Sequence, residues 1–247
     1  MSISVEKVKL ELNRIKLLGF VENVKSDDND GAIGNTFEHY LGVKENNLKD
    51  ADFEGWEIKT KKQYSKTATT LFSKKPSFPE KGDRYMLNKF GEADEDFPNC
   101  TNLNTTIYCN KIKQYYNNYF YQLELKEDQI NLIVKDKNKK IFDNKVYWKF
   151  EHLIAGSKKL KNTIIVTAKK EIFKNKINFK YISFTALINF KFENLIDAFK
   201  NGRVVYEHRW SPDKTGDNKG KDHNHGGGFR VRRKEDLEKL FESKVEI

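Results

Sequence analysis

Three polar residues with the spacing D-x4-E-x-K, Asp52, Glu57 and Lys59, are the first candidates for chemistry in this chain. Two carboxylates beside an ammonium group can hold a divalent metal next to a phosphate, because Mg²⁺ takes oxygen ligands and usually needs only one or two carboxylates. Such a metal polarises the phosphate and lowers the pKa of a bound water. The spacing therefore indicates a metal-dependent nuclease, with Asp52 and Glu57 as metal ligands and Lys59 assisting the water or the charged phosphate. The alternative for so short a pattern is an exposed strand with an ordinary Glu–Lys pair.

The element that carries these residues is predicted to be a strand over residues 52–62, preceded by a turn-rich segment. Side chains alternate across a strand, so Glu57 and Lys59 share one face. Gly55 permits a tight bend between Asp52 and Glu57. With that bend, both carboxylates converge on one side.

A second element, a short helix ahead of the strand, carries Glu38. Asn35 or Thr36 is predicted to cap this helix, which ends near Gly42. Glu38 falls at the margin of the buried helix face, where it can be partly shielded and still reach a cleft. The alternative is a solvated helix carboxylate.

Composition limits the classes of protein and partner. The chain has 247 residues, 37% hydrophobic and 33% charged, with a net charge of +10. This length can bury a sizeable core, as one large domain or two packed lobes. The positive charge favours nucleic acid or an acidic membrane surface as partner.

No apolar run approaches the roughly 18 residues of a membrane span, and the N-terminus lacks the apolar region of a signal peptide. Cys100 and Cys109 show no CxxC pairing, which fits a reducing cytoplasm. We therefore expect a cytoplasmic protein without a membrane partner.

A basic stretch near the C-terminus, residues 203–233, is the second candidate for function. Its polar candidates for contacts with DNA bases are Glu207, Arg209, His223, His225 and Arg230. Arginine can grip guanine through two hydrogen bonds, and glutamate can accept one from cytosine. Three consecutive glycines follow the histidines and allow close backbone approach. The other interpretation is a flexible basic surface loop.

A histidine metal site is a further alternative for His223 and His225, which have strand-like i, i+2 spacing. No cysteine, third histidine or compelling carboxylate lies in a zinc pattern around them. The contiguous letters H-N-H do not indicate an HNH nuclease, because that motif is spread over a much longer segment.

The segments GAIGNTFEHYLG and DADFEGWEIKTKK together resemble the PD-(D/E)XK nucleases grouped with MutH and the MvaI/BcnI-type restriction endonucleases. In that group a helix glutamate in a G-x-T-x-E-like segment lies near a D…E-x-K strand. The resemblance implies Mg²⁺ as cofactor and a set of catalytic residues, Glu38, Asp52, Glu57 and Lys59. Ala51 stands where the superfamily name has proline, which is not a ligand.

The C-terminal stretch adds to the resemblance. HRW…KGKDHNHGGGFRVRR looks like the recognition segment of the MvaI/BcnI-type enzymes, where an arginine strand and a HxHG…FR segment contact base edges. The resemblance thus implies that Glu207, Arg209, His223, His225 and Arg230 read the DNA sequence. The acidic residue of that family can be aspartate, so the contact made by Glu207 stays open. MutH does not match over this segment.

These observations predict an α/β protein with a PD-(D/E)XK restriction-endonuclease-like mixed sheet flanked by helices, as two lobes around a DNA cleft. Residues 1–110 are expected to form mainly the catalytic lobe, and residues 111–247 a β-rich remainder with the recognition segment. The expected activity is Mg²⁺-dependent cleavage of double-stranded DNA by a type II restriction endonuclease. The resemblance further implies a site that is short, GC-flanked, pseudopalindromic and CCNGG-like. It also implies a monomer, and we expect a cognate DNA methyltransferase in the same system but not in contact.

Two alternative functions remain at this stage. One is a MutH-like mismatch-repair nickase, which would need an activator and hemimethylated DNA. The other is a DNA-binding protein of the same fold without catalysis, although the complete D…E-x-K set argues against it.

Overall fold

The computed structural model describes residues 5–25, 31–43, 51–115 and 119–247. The turn-rich segment predicted ahead of Asp52 lies mostly at 44–50, outside the described residues. The α-helices of the described ranges are α1 (Val5–Leu17), α2 (Ala32–Leu41), α3 (Gly82–Phe90), α4 (Phe150–Ser157), α5 (Phe192–Lys200) and α6 (Lys234–Glu238). None of them is both long and apolar enough to cross a membrane.

The strands of the same ranges are β1 (Phe20–Glu22), β2 (Glu57–Lys62), β3 (Thr69–Phe72), β4 (Glu92–Ala93), β5 (Thr101–Ile107), β6 (Lys113–Gln114), β7 (Phe120–Leu125), β8 (Gln129–Lys135), β9 (Ile141–Asp143), β10 (Tyr147–Lys149), β11 (Asn162–Phe173), β12 (Lys176–Phe190), β13 (Val204–Pro212), β14 (Asp222–Asn224), β15 (Gly228–Val231) and β16 (Phe241–Glu246). A 3₁₀ turn, Lys158–Lys161, leads into β11.

The chain folds into two units, each assembled from separate stretches. The first unit takes the described residues within 1–67, 158–191 and 238–247, and the second takes those within 68–157 and 192–237. This division differs from the predicted one at residue 110. The reason is long-range strand pairing: β2 pairs with β11 and not with a strand close to it in sequence. Local patterns do not reveal such a partner.

The first unit is built on a mixed sheet with the strand order β1-β12-β11-β2, and β16 also pairs with β12. Strands β11 and β12 form a long antiparallel hairpin, whereas β2 lies parallel to β11. In that register Glu57 lies beside Thr163 and Lys59 beside Ile165. A mixed sheet packed with helices confirms the predicted α/β class.

The core of the first unit lies between this sheet and the helices α1 and α2. On α1, Leu12 and Ile15 are fully buried, one helical turn apart, so the helix presents an apolar stripe to the sheet. Phe37 of α2 contacts Tyr181 and Phe184 of β12, with ring centroids 4.9 and 6.0 Å apart. Burying each such side chain contributes roughly 1.5–3 kcal/mol, which anchors α2 over the sheet.

Helix α2 begins earlier than predicted. It starts at Ala32, with Gly31 preceding it, so neither Asn35 nor Thr36 caps the helix. Thr36 is fully buried inside the helix, and its hydroxyl donates to Asn23 Oδ1 at 2.9 Å. In the sequence alone this threonine looks like a capping residue, because its hydrogen bond to the chain after β1 is visible only in the fold. The end of the helix is as predicted, because Gly42 follows it with a left-handed φ of 78°.

The second unit is built on antiparallel sheets and also contains helices α3, α4 and α5. One has the order β10-β8-β7-β6 with β9 against β8, and another has the order β3-β15-β13-β5-β4 with β14 against β13. The predicted hairpin around Glu127 and Asp128 is confirmed as β7–β8. Buried aromatic rings fill the centre, where Phe229 packs on Tyr206 and Phe199 with centroids 5.3 Å away in both cases.

Candidate active site and candidate base-reading surface

The turn before β2 brings Asp52 to the start of the strand. Phe53 and Trp56 exchange backbone hydrogen bonds of 2.9 and 2.7 Å around Glu54 and Gly55. These two turn residues have positive φ angles of 50° and 84°, as a tight two-residue hairpin turn requires. The predicted bend at Gly55 is thereby confirmed.

The carboxylate of Asp52 is tied back to the strand. Its Oδ2 accepts a hydrogen bond from the Ile58 amide at 2.8 Å. Burial raises the pKa of the Asp52 carboxyl above its ordinary value, and the negative charge of Glu57 adds to this shift. The Ile58 amide and nearby lysine ammonium groups oppose it. Asp52 and Glu57 therefore sense each other as like charges, which is the situation that a bound cation relieves.

Glu57 is the buried centre of the cluster, with only 1% of its surface exposed. Its Oε1 forms ion pairs with Lys59 Nζ and, at 2.8 Å, with Lys159 Nζ. Its Oε2 is buried and has no hydrogen-bond partner among the described residues. An unpaired buried carboxylate oxygen is costly. Hard oxygen donors from Asp52 and Glu57, one of them unsatisfied, fit a divalent cation such as Mg²⁺.

Glu38 lies on the side of α2 that faces β2. A Cβ built on Gly34, one turn earlier, would lie 3.9 Å from Glu38 Oε1 and 3.2 Å from the Thr60 hydroxyl. Gly34 thus lets the helix approach the strand closely, and Glu38 shares that space with Thr60. Burial, together with negative charge from Tyr40 and Glu38, raises the pKa of the Tyr181 hydroxyl. Glu38 is partly buried, which differs from a fully solvated carboxylate.

Lys159 is the residue of this cluster that sequence reasoning missed. It lies in the 3₁₀ turn before β11, within a run of lysines that resembles a solvated surface. Only the parallel pairing of β11 with β2 brings it to Glu57. Nothing in the sequence around Lys159 indicated that it would lie beside Glu57. We call Asp52, Glu57, Lys59 and Lys159 the active-site cluster.

The predicted base-contacting residues come together in the second unit. On β13, Glu207 and Arg209 share one face with Ser211, because side chains alternate along a strand. On the neighbouring strands, Gly228 of β15 lies opposite Glu207, and His223 of β14 lies opposite Ser211. A groove of about 440 Å³ runs over this face and is lined by Asn104, Thr105, Thr106, Glu207, His208, Arg209, Ser211 and His225.

Glu207 and Arg230 form an ion pair across β13 and β15. Arg230 Nε lies 3.2 Å from Glu207 Oε2, and both side chains are largely shielded, at 11% and 16% exposed. Arg230 Nη2 also donates to the Gly226 carbonyl at 3.0 Å. Arg232, which sequence reasoning did not single out, lies 4.0 Å from the same glutamate. Glu207 therefore also orients arginines, a role that its residue type alone did not indicate.

The two histidines stack on each other, with ring centroids 4.5 Å apart. His223 Nδ1 lies 2.8 Å from an oxygen of Asp213, and His225 Nε2 lies 3.1 Å from the Ser211 carbonyl. Asp213 supplies the carboxylate that the sequence pattern around the histidines lacked, and the three residues could hold a metal ion. However, each ring already pairs with a protein oxygen through one nitrogen, which fits oriented hydrogen-bonding side chains. We call Glu207, Arg209, His223, His225 and Arg230 the base-reading surface.

The glycines at 226–228 allow close approach between strands of the protein itself, whereas their predicted approach to a DNA groove stays a prediction. Gly226 has a φ of 79°, in the left-handed region that favours glycine. A Cβ on Gly228 would lie 2.8 Å from the Phe72 carbonyl oxygen. These glycines let β15 pack tightly and hold Arg230 beside β13.

Comparisons with known proteins place these features in a family context. A model of the MvaI/BcnI restriction endonuclease family matches residues 10–241. A structure described as a complex of the restriction endonuclease MvaI with its cognate DNA substrate is similar at 29% identity and a TM-score of 0.89, covering 100% of this chain and 99% of the other. A structure of MvaI without DNA is similar at 29% identity and a TM-score of 0.59, covering 100% of both chains. None of the curated protein sequences matches.

Proposed function

This chain belongs to the MvaI/BcnI restriction endonuclease family and is a type II site-specific deoxyribonuclease, and from that premise we propose that it cuts both strands of duplex DNA in a Mg²⁺-dependent reaction. The observation that carries the metal dependence is the Glu57 carboxylate. It is buried, it lies near the Asp52 carboxylate, and its Oε2 lacks a hydrogen-bond partner among the described residues. The MvaI/BcnI restriction endonuclease family is generally metal-dependent, which agrees with Asp52 and Glu57 as oxygen donors.

In the proposed reaction Asp52 and Glu57 would hold the ion, and Glu38 would help to position the ion or the attacking water. The chemistry that Mg²⁺ would supply there is polarisation of the scissile phosphate and a lower pKa of the attacking water. As an ammonium ion, Lys59 would orient that water or stabilise the negative charge that develops on the phosphate. The Lys59 side chain is partly exposed, at 19%, so its ammonium group can turn from Glu57 to a substrate.

The base-reading surface supplies the proposed specificity. Arg209 and Arg230 are suited to guanine O6 and N7, and Glu207 to cytosine N4. The histidines can donate or accept a hydrogen bond. A surface rich in these groups supports a short GC-flanked site, and we propose a pseudopalindromic sequence of the CCNGG type. The related structure titled as an MvaI complex with cognate DNA supports double-stranded DNA as the partner.

The proposal also covers the oligomeric state of the enzyme and a DNA methyltransferase in the same system. The active-site cluster lies entirely within the first unit and the base-reading surface entirely within the second, so one chain carries both parts of the machinery. In line with the family resemblance, we propose that the enzyme acts as a monomer. A restriction enzyme that cuts duplex DNA requires protection of the host genome, which supports a cognate DNA methyltransferase in the same system.

The test is cleavage of plasmid and phage DNA by the purified protein, with Mg²⁺ or with chelator, followed by sequencing of the ends. We expect a fixed set of fragments that disappears with chelator, and ends that share one short sequence. Glu57→Gln serves as the matched inactive control, because it keeps the size of the side chain and removes its charge. Binding without cleavage in Mg²⁺ and Mn²⁺ would contradict the proposal, and nicking that needs a further protein would favour the mismatch-repair alternative.

A further inference from the structure

Two lysines converge on one oxygen of Glu57. The Nζ of Lys159 lies 2.8 Å from Oε1, and the Nζ of Lys59 contacts the same atom. The Glu57 side chain is 2% exposed, whereas that of Lys159 is 29% exposed. One ammonium group suffices to pair a single carboxylate, so the second one calls for an explanation.

The backbone around Lys159 is anchored by the fold. In the turn Lys158–Lys161, Leu160 is 1% exposed, and its carbonyl accepts a hydrogen bond from the Thr163 hydroxyl at 3.2 Å. Thr163 is in turn the β11 neighbour of Glu57. Lys158 and Lys161 are exposed, while Lys159 is held toward the carboxylate. The position of Lys159 therefore follows from the sheet itself.

The role proposed for Lys59 requires that Glu57 keep another charged partner, and Lys159 can be that partner. To act on a phosphate or a water, Lys59 must turn away from Glu57. A buried carboxylate that loses its charged partner pays a large desolvation penalty. With Lys159 still bound to Oε1, the carboxylate keeps one partner and its orientation, and Oε2 stays directed away from the lysines.

We propose that Lys159 is a positioning residue of the active site, which keeps the Glu57 carboxylate paired and oriented so that Lys59 is released to act on the substrate. This inference rests on the proposed function, since it assigns the second lysine within that reaction. It predicts that Lys159 affects the rate of cleavage and not the capacity to bind metal, because both metal-binding carboxylates remain when it is removed.

The experiment compares wild type, Lys159→Met, Lys159→Arg and the matched control Lys158→Met. Single-turnover cleavage of plasmid DNA is measured at saturating Mg²⁺, and binding of Mn²⁺ without DNA is measured by calorimetry. We expect Lys159→Met to lower the cleavage rate by about 10- to 100-fold, the usual cost of removing a partner of a metal ligand. We expect its Mn²⁺ binding to be retained, Lys159→Arg to recover much of the rate, and Lys158→Met to behave as wild type.

The other possible outcomes overturn either this inference alone or the proposed function together with it. If Lys159→Met cleaves as fast as Lys158→Met, Lys159 has no role and the inference is wrong. If Lys159→Met loses Mn²⁺ binding, or if it melts at a lower temperature in parallel with its loss of cleavage, the residue acts through metal binding or through the fold, and the inference is also wrong. An inactive wild type would overturn the proposed function, and this inference with it, whereas an active wild type with a fully active Lys159→Met overturns the inference alone.

Discussion

At the scale of single residues, Glu57 is a buried carboxylate whose stability depends on its charged partners. A carboxylate that is 1% exposed is stable only with charged partners, and Lys59 and Lys159 provide them. The same burial gives its interactions with a cation or a lysine more weight than they would have in water. Small changes in its partners should therefore have large effects on the reaction.

The first prediction concerns Lys59. Lys59→Ala should abolish cleavage while DNA binding is largely preserved, because the ammonium group acts on the reacting phosphate and water and the base-reading surface is unchanged. The measurement is gel-shift binding in Ca²⁺ beside cleavage in Mg²⁺. Lys62→Ala, a later lysine on the same strand, is the matched control and should cleave normally. Cleavage by Lys59→Ala at the wild-type rate would contradict the assigned role.

The second prediction concerns pH. Burial raises the pKa of Asp52 above its ordinary value of 3.8, with the charge of Glu57 adding to the shift. A raised pKa means that the carboxyl takes up a proton at a higher pH than an ordinary aspartate does. Because a metal ligand must be deprotonated, Mn²⁺ affinity should fall as the pH decreases toward that raised value. Calorimetric titrations over a pH series measure this, and an affinity that stays constant until close to 3.8 would contradict it.

The third prediction concerns the arginines of the base-reading surface. Arg209→Ala should reduce discrimination between the specific site and other sequences by about 1–3 kcal/mol per lost base contact. Arg230→Ala should cost at least as much, because it also removes the ion-pair partner of Glu207. Competition binding against altered sites provides the measurement, with the exposed Lys137→Ala as control. Unchanged discrimination in both arginine variants would mean that this surface does not read bases.

At the scale of elements, the turn between Asp52 and Glu57 decides whether the two carboxylates meet. Strand β2 fixes Glu57 through its pairing with β11, but Asp52 lies before the strand. Its position depends on the tight turn and on the hydrogen bond from Ile58. The turn is therefore part of the active site, although it contributes no reacting group.

The fourth prediction tests this turn. Gly55→Ala should destabilise the fold by roughly 1–2 kcal/mol, because alanine is strained at a φ of 84°. It should also slow cleavage by up to about 100-fold, the cost of a misplacement near 1 Å. The matched control is Gly19→Ala, also in the first unit, with a φ of 73° and open space for a Cβ like that at Gly55. Both variants should lose similar stability in thermal melts, and equal cleavage by both would refute a role of the turn.

At the scale of the whole molecule, the net charge of +10 sets how binding depends on salt. The excess of positive charge attracts a polyanion, and DNA releases counterions with a gain in entropy when cationic side chains bind its phosphates. Charge of this kind serves affinity for any DNA, while in the proposed function the base-reading surface supplies specificity.

The fifth prediction follows from this separation. Affinity for DNA that lacks the specific site should fall steeply with salt, by on the order of 10³-fold or more between roughly 50 and 200 mM if at least six phosphates are contacted. Fluorescence anisotropy over a salt series measures the slope. Arg209→Ala should leave most of that slope intact, since its proposed contact is to a base. A flat salt dependence would contradict phosphate contacts as the source of general affinity.

The sequence by itself determined the parts of this protein that are close together along the chain. Glu38, Asp52, Glu57 and Lys59 lie within the stretch 31–62, and alternation along one strand is enough to put Glu57 and Lys59 on one face. The base-reading residues likewise fall within residues 203–233, where a strand, a loop and glycines follow one another. The family, the α/β class and the enzyme class could be predicted from these two segments.

Only the tertiary structure decided what depends on pairing between distant segments. Lys159 reaches Glu57 because β11 returns beside β2, and Asp213 reaches His223 because β14 folds back on the end of β13. The two units interleave along the chain for the same reason, so no single boundary separates them. A lysine in a basic run and an aspartate in a turn have no local signature of function, because their role comes from a partner that the backbone brings to them through the fold.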